Sequence, residues 1–408
     1  MSALPITLDD VRDAARRIEG RVYRSPCVPS ERLSELLGTR TYVKLDNLQA
    51  TGSFKERGAC NLLLRLPEAQ RRRGVICASA GNHAQAVAYH GRALGMPVTV
   101  VMPRYAPLVK VSNCRGYGAN VILHGETYDE AKAHATALAQ QDDLLYVPGF
   151  DHPDIVAGAG TLGLEVLQDV PHVEAILTPV GGGGLAAGVV AAVKPQRPEV
   201  DIYAVESTHA ATLHASLAAN DVTRIATRPS LADGLAVAEI GALPFDVLRG
   251  QLKACVLVDE PQIASAILRL LEWEKTLVEG AGAISLAGAL QVKDQLAGKT
   301  TVLVLCGGNI DVTVLSRIID RGLRVDGRLC RIVSQISDRP GSLARLLNVI
   351  AAAGASIKEV NHDRHFGPAD VARVSVSCVV ETQGFDHIAR LMAALAEAGI
   401  EATNDAAL

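Results

Sequence analysis

Apolar residues follow two rhythms along this 408-residue chain, and the rhythm marks where the elements change. Val11, Ala14, Ala15 and Ile18 recur at three- and four-residue steps behind Thr7 and Asp10, which have capping-box spacing, so a helix is expected there. Ser30 is placed to cap a second short helix ending at Gly38, and residues 41–45 read as a strand. A further helical stripe, Ala59, Leu62, Leu63 and Leu66, closes at Pro67. Short apolar runs then alternate with helical stretches: strands at 75–78, 98–102 and 120–123, helices at 83–94, 108–115 and 128–140. A second series has strands at 175–177, 202–205, 255–258 and 302–305. These runs lack polar alternation, as parallel strands buried on both faces require. Two such series predict two open, mainly parallel α/β lobes, with ligands taken up at the carboxyl ends of the strands.

The pattern changes after Gly322. Strands at 329–336, 357–362 and 372–380, helices at 342–353 and 385–398, and a short last strand near Ile400 give a βαββα order, the ferredoxin-like α+β plan.

Composition narrows the function classes. At 49% hydrophobic and 21% charged residues the chain is an ordinary soluble protein, long enough for two or three separate cores. Net charge is −4, and the one dense basic run, Arg71 to Arg73, precedes Gly74 at a helix end where cations complement the dipole, so no nucleic-acid partner is expected. No apolar run reaches membrane-spanning length, and the first ten residues lack the basic start and apolar stretch of a signal peptide. Eight cysteines without Cys-x-x-Cys or zinc spacing read as reduced thiols, which predicts a cytoplasmic protein and no metal.

Four polar or glycine-rich segments carry candidate chemistry. Lys55, in Thr51-Gly52-Ser53-Phe54-Lys55-Glu56-Arg57-Gly58-Ala59, falls in the first turn of a helix, whose positive end works against an ammonium. It is therefore either a solvated surface lysine or an amine meant to lose its charge. Ser79-Ala80-Gly81-Asn82-His83 links a strand to a helix, either as a capped loop or as a set of N–H donors for a carboxylate. Gly181, Gly182, Gly183 and Gly184 before Leu185 stand between a buried strand and a buried helix, where a close-approach anion site makes better sense than a flexible linker. The run lacks both the Lys-Ser/Thr of a P-loop and the spacing of a dinucleotide fingerprint. Cys306 in Cys306-Gly307-Gly308-Asn309 reads on composition as a buried thiol at a strand end. Glu279 suits a helix start, Asp233 a turn.

Ser53-Phe54-Lys55 with Arg57-Gly58-Ala59 resembles the cofactor-lysine segment of the fold type II pyridoxal phosphate enzymes, and among them the threonine and serine dehydratases. The resemblance covers roughly residues 5 to 320 and implies pyridoxal 5'-phosphate as cofactor, held by Lys55 as a Schiff base beside Phe54. It gives Asn82 to the cofactor's ring hydroxyl, the segment Ser79, Ala80, Gly81, Asn82 and His83 to the substrate carboxylate, the glycine run with Leu185 to the phosphate and Cys306 to the ring nitrogen. Glu279 aligns with an acidic residue near the ring. Glu206 resembles the first of a divalent-metal set in related racemases, but Thr212 stands where its acidic partner is expected, so no metal is assigned.

The implied organisation is a large cofactor-binding lobe at 1–45 and 150–322 with a small lobe at 46–149 inserted. Asp338-Arg339-Pro340-Gly341-Ser342-Leu343 resembles the signature of ACT regulatory domains, which implies an amino-acid effector at 328–402 and a homodimer or homotetramer. The implied reaction is elimination of water and ammonia from a small amino-acid substrate, L-threonine first and L-serine second, at the entry to isoleucine synthesis. Serine racemase/dehydratase and 3-hydroxyaspartate ammonia-lyase activity are the alternatives of the same fold. The related racemases carry a serine where this chain has Ala80.

Overall fold

A computed structural model describes residues 4–364 and 372–404, so residues 1–3 of the expected large lobe and 365–371 of the expected C-terminal module lie outside the described residues. Packing divides the chain into two compact units at Asp311/Val312. The helix Val312–Val325, which the implied organisation gave to the large lobe as far as residue 322, groups here with the C-terminal unit.

The first unit contains two sheets. The larger has six strands in the order Cys27–Pro29, Arg40–Leu45, Thr300–Leu305, Ala175–Pro179, Asp201–Ser207 and Ala254–Val258, all parallel except the first. The smaller is wholly parallel, in the order Asn120–Leu123, Val98–Met102, Val75–Ala78 and Leu145–Tyr146. Central strands such as Thr300–Leu305 and Ala175–Pro179 are buried at every position, which is why their sequences show no alternation.

Three helices join the two sheets through bare backbone. A side chain at Gly58 would meet the Ile155 carbonyl at 2.8 Å, and one at Gly158 the Arg57 carbonyl at 2.5 Å. One at Gly188 would meet the Gly160 nitrogen at 2.5 Å. The helices Lys55–Arg65, Pro153–Asp169 and Gly184–Val193 thus approach more closely than side chains would allow.

Beneath Lys55 the same crossing holds a buried charge network. Arg57 has no exposed surface and forks onto Asp46 at 2.7 and 2.8 Å and onto Glu165 at 2.6 and 2.8 Å. Lys44 Nζ reaches Glu165 at 2.5 Å and the Ser25 carbonyl at 2.6 Å. Burial pushes the Asp46 carboxyl up, but Arg57 and Lys44 outweigh it and hold it below its ordinary 3.8.

The C-terminal unit has the antiparallel order Ser356–Asp363, Arg373–Glu381, Leu329–Ser337 and Ala402–Asn404, with helices Ser342–Ala352 and Phe385–Glu397. This is the ferredoxin-like order. Its own core is built on Leu346, Ile350, Val376, Cys378, Leu391 and Leu395. No described helix is long and apolar enough to cross a membrane.

Candidate active site

Lys55 is the first residue of its helix, and the loop before it is clamped by the end of strand Thr300–Leu305. Phe54 N–H donates to the Cys306 carbonyl at 2.9 Å, Ser53 pairs with Gly307, and Gly308 N–H donates to the Gly52 carbonyl at 2.9 Å. Lys55 Nζ in turn donates to the Gly149 carbonyl at 2.7 Å. Burial lowers the ammonium to about 8, against the opposing pull of the Glu279 carboxylate. An amine this ready to lose its proton is a nucleophile near neutral pH, unlike a solvated surface lysine.

The glycine run follows strand Ala175–Pro179 and opens the helix Gly184–Val193, which has no side-chain cap. Gly183 has φ +86°, a conformation that favours glycine. The neighbours are tight: a side chain at Gly181 would meet the Leu235 backbone at 2.8 Å and one at Gly182 would run into the Phe150 ring. The run is thus a packed turn with open N–H groups, and not a linker.

One cavity is walled by Phe54, Lys55, His83, Cys306, the four glycines with Leu185, and the strip Gly149-Phe150. His83 Nε2 lies 3.0 Å from the Val147 carbonyl, so Nε2 carries the proton and donates. Burial and then Lys55 push its pKa down to about 4, which leaves a neutral ring with a bare Nδ1. Cys306 Sγ donates to the Ala281 carbonyl at 3.4 Å, and burial raises the thiol well above its ordinary 9.0, so it stays neutral.

Ser79, Ala80 and Gly81 precede His83 in the same half-buried loop but are not part of that wall. Asn82 is joined to it indirectly: its Nδ2 donates to Glu279 Oε1 at 2.6 Å, and a side chain at Gly307 would lie 3.2 Å from that nitrogen. Glu279 begins the helix Gly280–Gln291, yet its side chain makes no capping bond there. Burial, then Asp233, lift its carboxyl to about 7. Asp233 itself meets Lys110 at 2.7 Å, an ion pair from the turn Asp233–Leu235 to the helix Leu108–Gly116. Glu206 accepts from Leu213 N–H at 2.8 Å and His214 N–H at 2.9 Å and is satisfied by protein donors. No metal-ligand cluster occurs among the described residues.

Sequence reasoning did not find Gly149, Phe150 or Asn309. The first acts through a carbonyl that any residue would offer, and the second through its fit to Gly182. Asn309 stood in a quoted motif, and its pairing 2.8 Å from Asn82 was the missing signal.

A family model described as pyridoxal-phosphate dependent enzyme matches residues 18–307. The chain is 42% identical over 396 residues to an L-threonine ammonia-lyase of Thermotoga maritima, covering 97% of this chain and 98% of the relative. Among solved structures, the processed form of threonine deaminase isoform 2 from Solanum lycopersicum matches with TM-score 0.73 and 34% identity over 77% of this chain and 93% of its own. A serine racemase from Dictyostelium discoideum matches with TM-score 0.71 and 34% identity over 75% and 99%.

Proposed function

We infer the reaction from one premise: this chain belongs to the pyridoxal-phosphate dependent enzyme family, and a relative that matches it nearly end to end is an L-threonine ammonia-lyase. The chain deaminates L-threonine to 2-oxobutanoate and ammonia with pyridoxal 5'-phosphate as cofactor. The observation that carries this is the meeting of Lys55, the glycine run and Cys306 on the walls of one cavity. The residues fit the cofactor: an amine of lowered pKa for its aldehyde, an uncapped helix start for its phosphate and a neutral thiol for its ring nitrogen. Lys55 would hold the aldehyde carbon beside Phe54, Gly181 to Leu185 the phosphate, Cys306 the ring nitrogen and Asn82 the ring hydroxyl.

When bound, the cofactor supplies an electron sink for the charge left at the substrate's α-carbon. Lys55 Nζ, with its proton already weakly held, is the group that takes the α-proton. The segment Ser79 to His83, at the start of helix Asn82–Ala93, binds the substrate carboxylate through backbone N–H groups, and neutral His83 adds no competing charge. Cys306, a neutral donor, leaves the ring less cationic than a carboxylate partner would, which suits elimination. Incubating the protein with L-threonine, L-serine and 3-hydroxyaspartate and identifying the keto acids tests the reading. 2-Oxobutanoate from threonine is expected, and no keto acid from any of them would overturn it.

Capture of added pyridoxal phosphate by cofactor-free protein should depend on the free Lys55 amine. Its rate is expected to rise about tenfold per pH unit below about 8 and to level above it. Glu279→Gln removes a charge that favours the ammonium, so the break should move to lower pH. A rate flat from pH 6 to 9 would detach Lys55 from capture.

The racemase match gives Ala80 its test, because re-protonation from the opposite face needs an acid that alanine lacks. Ala80→Ser is expected to gain measurable serine racemisation and lose some elimination, as read by chiral analysis of the remaining serine. Equal racemisation in both proteins would remove Ala80 as the discriminating position.

The C-terminal unit is assigned to regulation by a branched-chain amino acid, isoleucine first, and to pairing between subunits. Its ferredoxin-like order supports this, although a cavity there is lined by Val333, Gln335, Met392, Ile400 and Thr403, away from the loop 338–343. A chain ended at Asp311 is expected to keep turnover and lose its response to isoleucine. A full-length protein indifferent to every branched amino acid in activity and melting would leave the unit a purely structural module.

A further inference from the structure

Asn309 closes a ring of hydrogen bonds around Asn82. Its Nδ2 donates to the Thr51 carbonyl at 2.6 Å and to Asn82 Oδ1 at 2.8 Å. Its backbone N–H donates to the Glu279 carboxylate, which also accepts from Asn82 Nδ2 at 2.6 Å. A backbone carbonyl cannot donate, so Thr51 fixes which end of the Asn309 amide is nitrogen. That nitrogen requires oxygen from Asn82, and the Asn82 nitrogen is thereby turned to Glu279. The Asn309 oxygen is left facing Gly52, where a side chain would come within 2.5 Å and where φ is +76°. With its oxygen held toward Asn309 and one N–H given to Glu279, the Asn82 nitrogen has its second N–H left to offer.

We propose that Asn309 is a positioning residue that locks the Asn82 amide so that it presents N–H, and never its carbonyl, to the cofactor's ring oxygen. The inference rests on the assignment of Asn82 to that oxygen above. An N–H aimed at the oxygen favours its deprotonated form; a carbonyl there would favour the protonated form. Asn309 thus acts on the acidity of a group it does not touch, through the one orientation it permits Asn82.

The test follows the visible absorbance of the pyridoxal phosphate-loaded protein against pH, with melting of the cofactor-free protein measured alongside. Asn82→Ala and Asn309→Ala are each expected to move the midpoint of the colour change up by about one pH unit. The double variant should shift no further than Asn82→Ala alone, because the second change acts only through the first. Asn309→Ser, which removes less contact, serves if the alanine protein does not fold, and a shift in the same direction is expected. Additive shifts, or a lowered melting temperature with an unmoved midpoint, would make Asn309 merely structural. A shift in Asn82→Ala without one in the Asn309 variants would overturn the inference alone. An unmoved midpoint in Asn82→Ala would overturn the assignment of Asn82 and the inference with it.

Discussion

Lys55→Ala is expected to lower threonine turnover by about 10⁴-fold or more, the largest effect of any single change in this chain. Two losses combine. The alanine protein has no amine to hold the cofactor's aldehyde, and it has no base at the position from which the α-proton is taken. A positioned base alone is worth roughly 10²- to 10⁴-fold. The glycine run at the start of helix Gly184–Val193 is untouched by the change, so the cofactor should still bind, but with the absorbance of the free aldehyde. Kinetics of 2-oxobutanoate formation and an absorbance spectrum of the purified protein decide the matter together. A spectrum identical to that of the unaltered protein would mean that another lysine holds the cofactor.

Arg57→Ala is the change with the largest expected cost in stability. It leaves Asp46, which has no exposed surface, and the largely buried Glu165 without the guanidinium that both accept from. Breaking a buried pair by removing one partner costs about 3–5 kcal/mol, because the surviving charges stay desolvated. Urea denaturation read by intrinsic fluorescence should show that loss, and Arg57→Lys should recover part of it, since lysine restores the charge without the fork. The pH dependence gives an independent check. The Asp46 carboxyl is held below 3.8, so its contribution is complete above that value and is lost as pH falls through the lower folded-state value. In Arg57→Ala the larger part of that support is gone and only Lys44 and Ser25 remain to hold the carboxylate, so acid unfolding should begin at higher pH. Arg57 also lies two residues beyond Lys55 on one helix, so a folded variant should turn over more slowly as well. A loss below about 1 kcal/mol would show that the network is compensated by relaxation or water.

Val75–Ala78 and Val98–Met102 were legible because burial on both faces writes itself as a continuous apolar run, and the edge strand Asn120–Leu123, which is only partly buried, was legible from its short apolar run Val121 to Leu123. Thr7 and Ser30 caps were legible for the same local reason, a side chain three residues from its target. Leu145–Tyr146 escaped because two residues carry no period. The placing of helix Val312–Val325 turned on packing, since its amphipathic stripe does not say which sheet it faces. Within the site, the loops around Lys55, Asn82, Gly181 and Cys306 were visible as motifs. What joins them was not. Arg57 and Glu165 are 108 residues apart, and Asn309 and Asn82 are 227 apart, distances over which sequence spacing carries no signal.

The close crossings at Gly58, Gly158, Gly160 and Gly188 bear on how kinship among such chains should be read. A methyl group at any of them would separate helices, one of which begins with the reactive amine, so selection for turnover acts on these glycines as it does on Lys55 itself. Invariance across homologues would therefore mark them in the same colour as the chemistry, and a map of unchanging positions would draw an active site several helices wide. Only the loss of function on substitution separates the two classes: at Lys55 the fold survives and the reaction stops, whereas at Gly158 the scaffold gives way and the reaction fails with it.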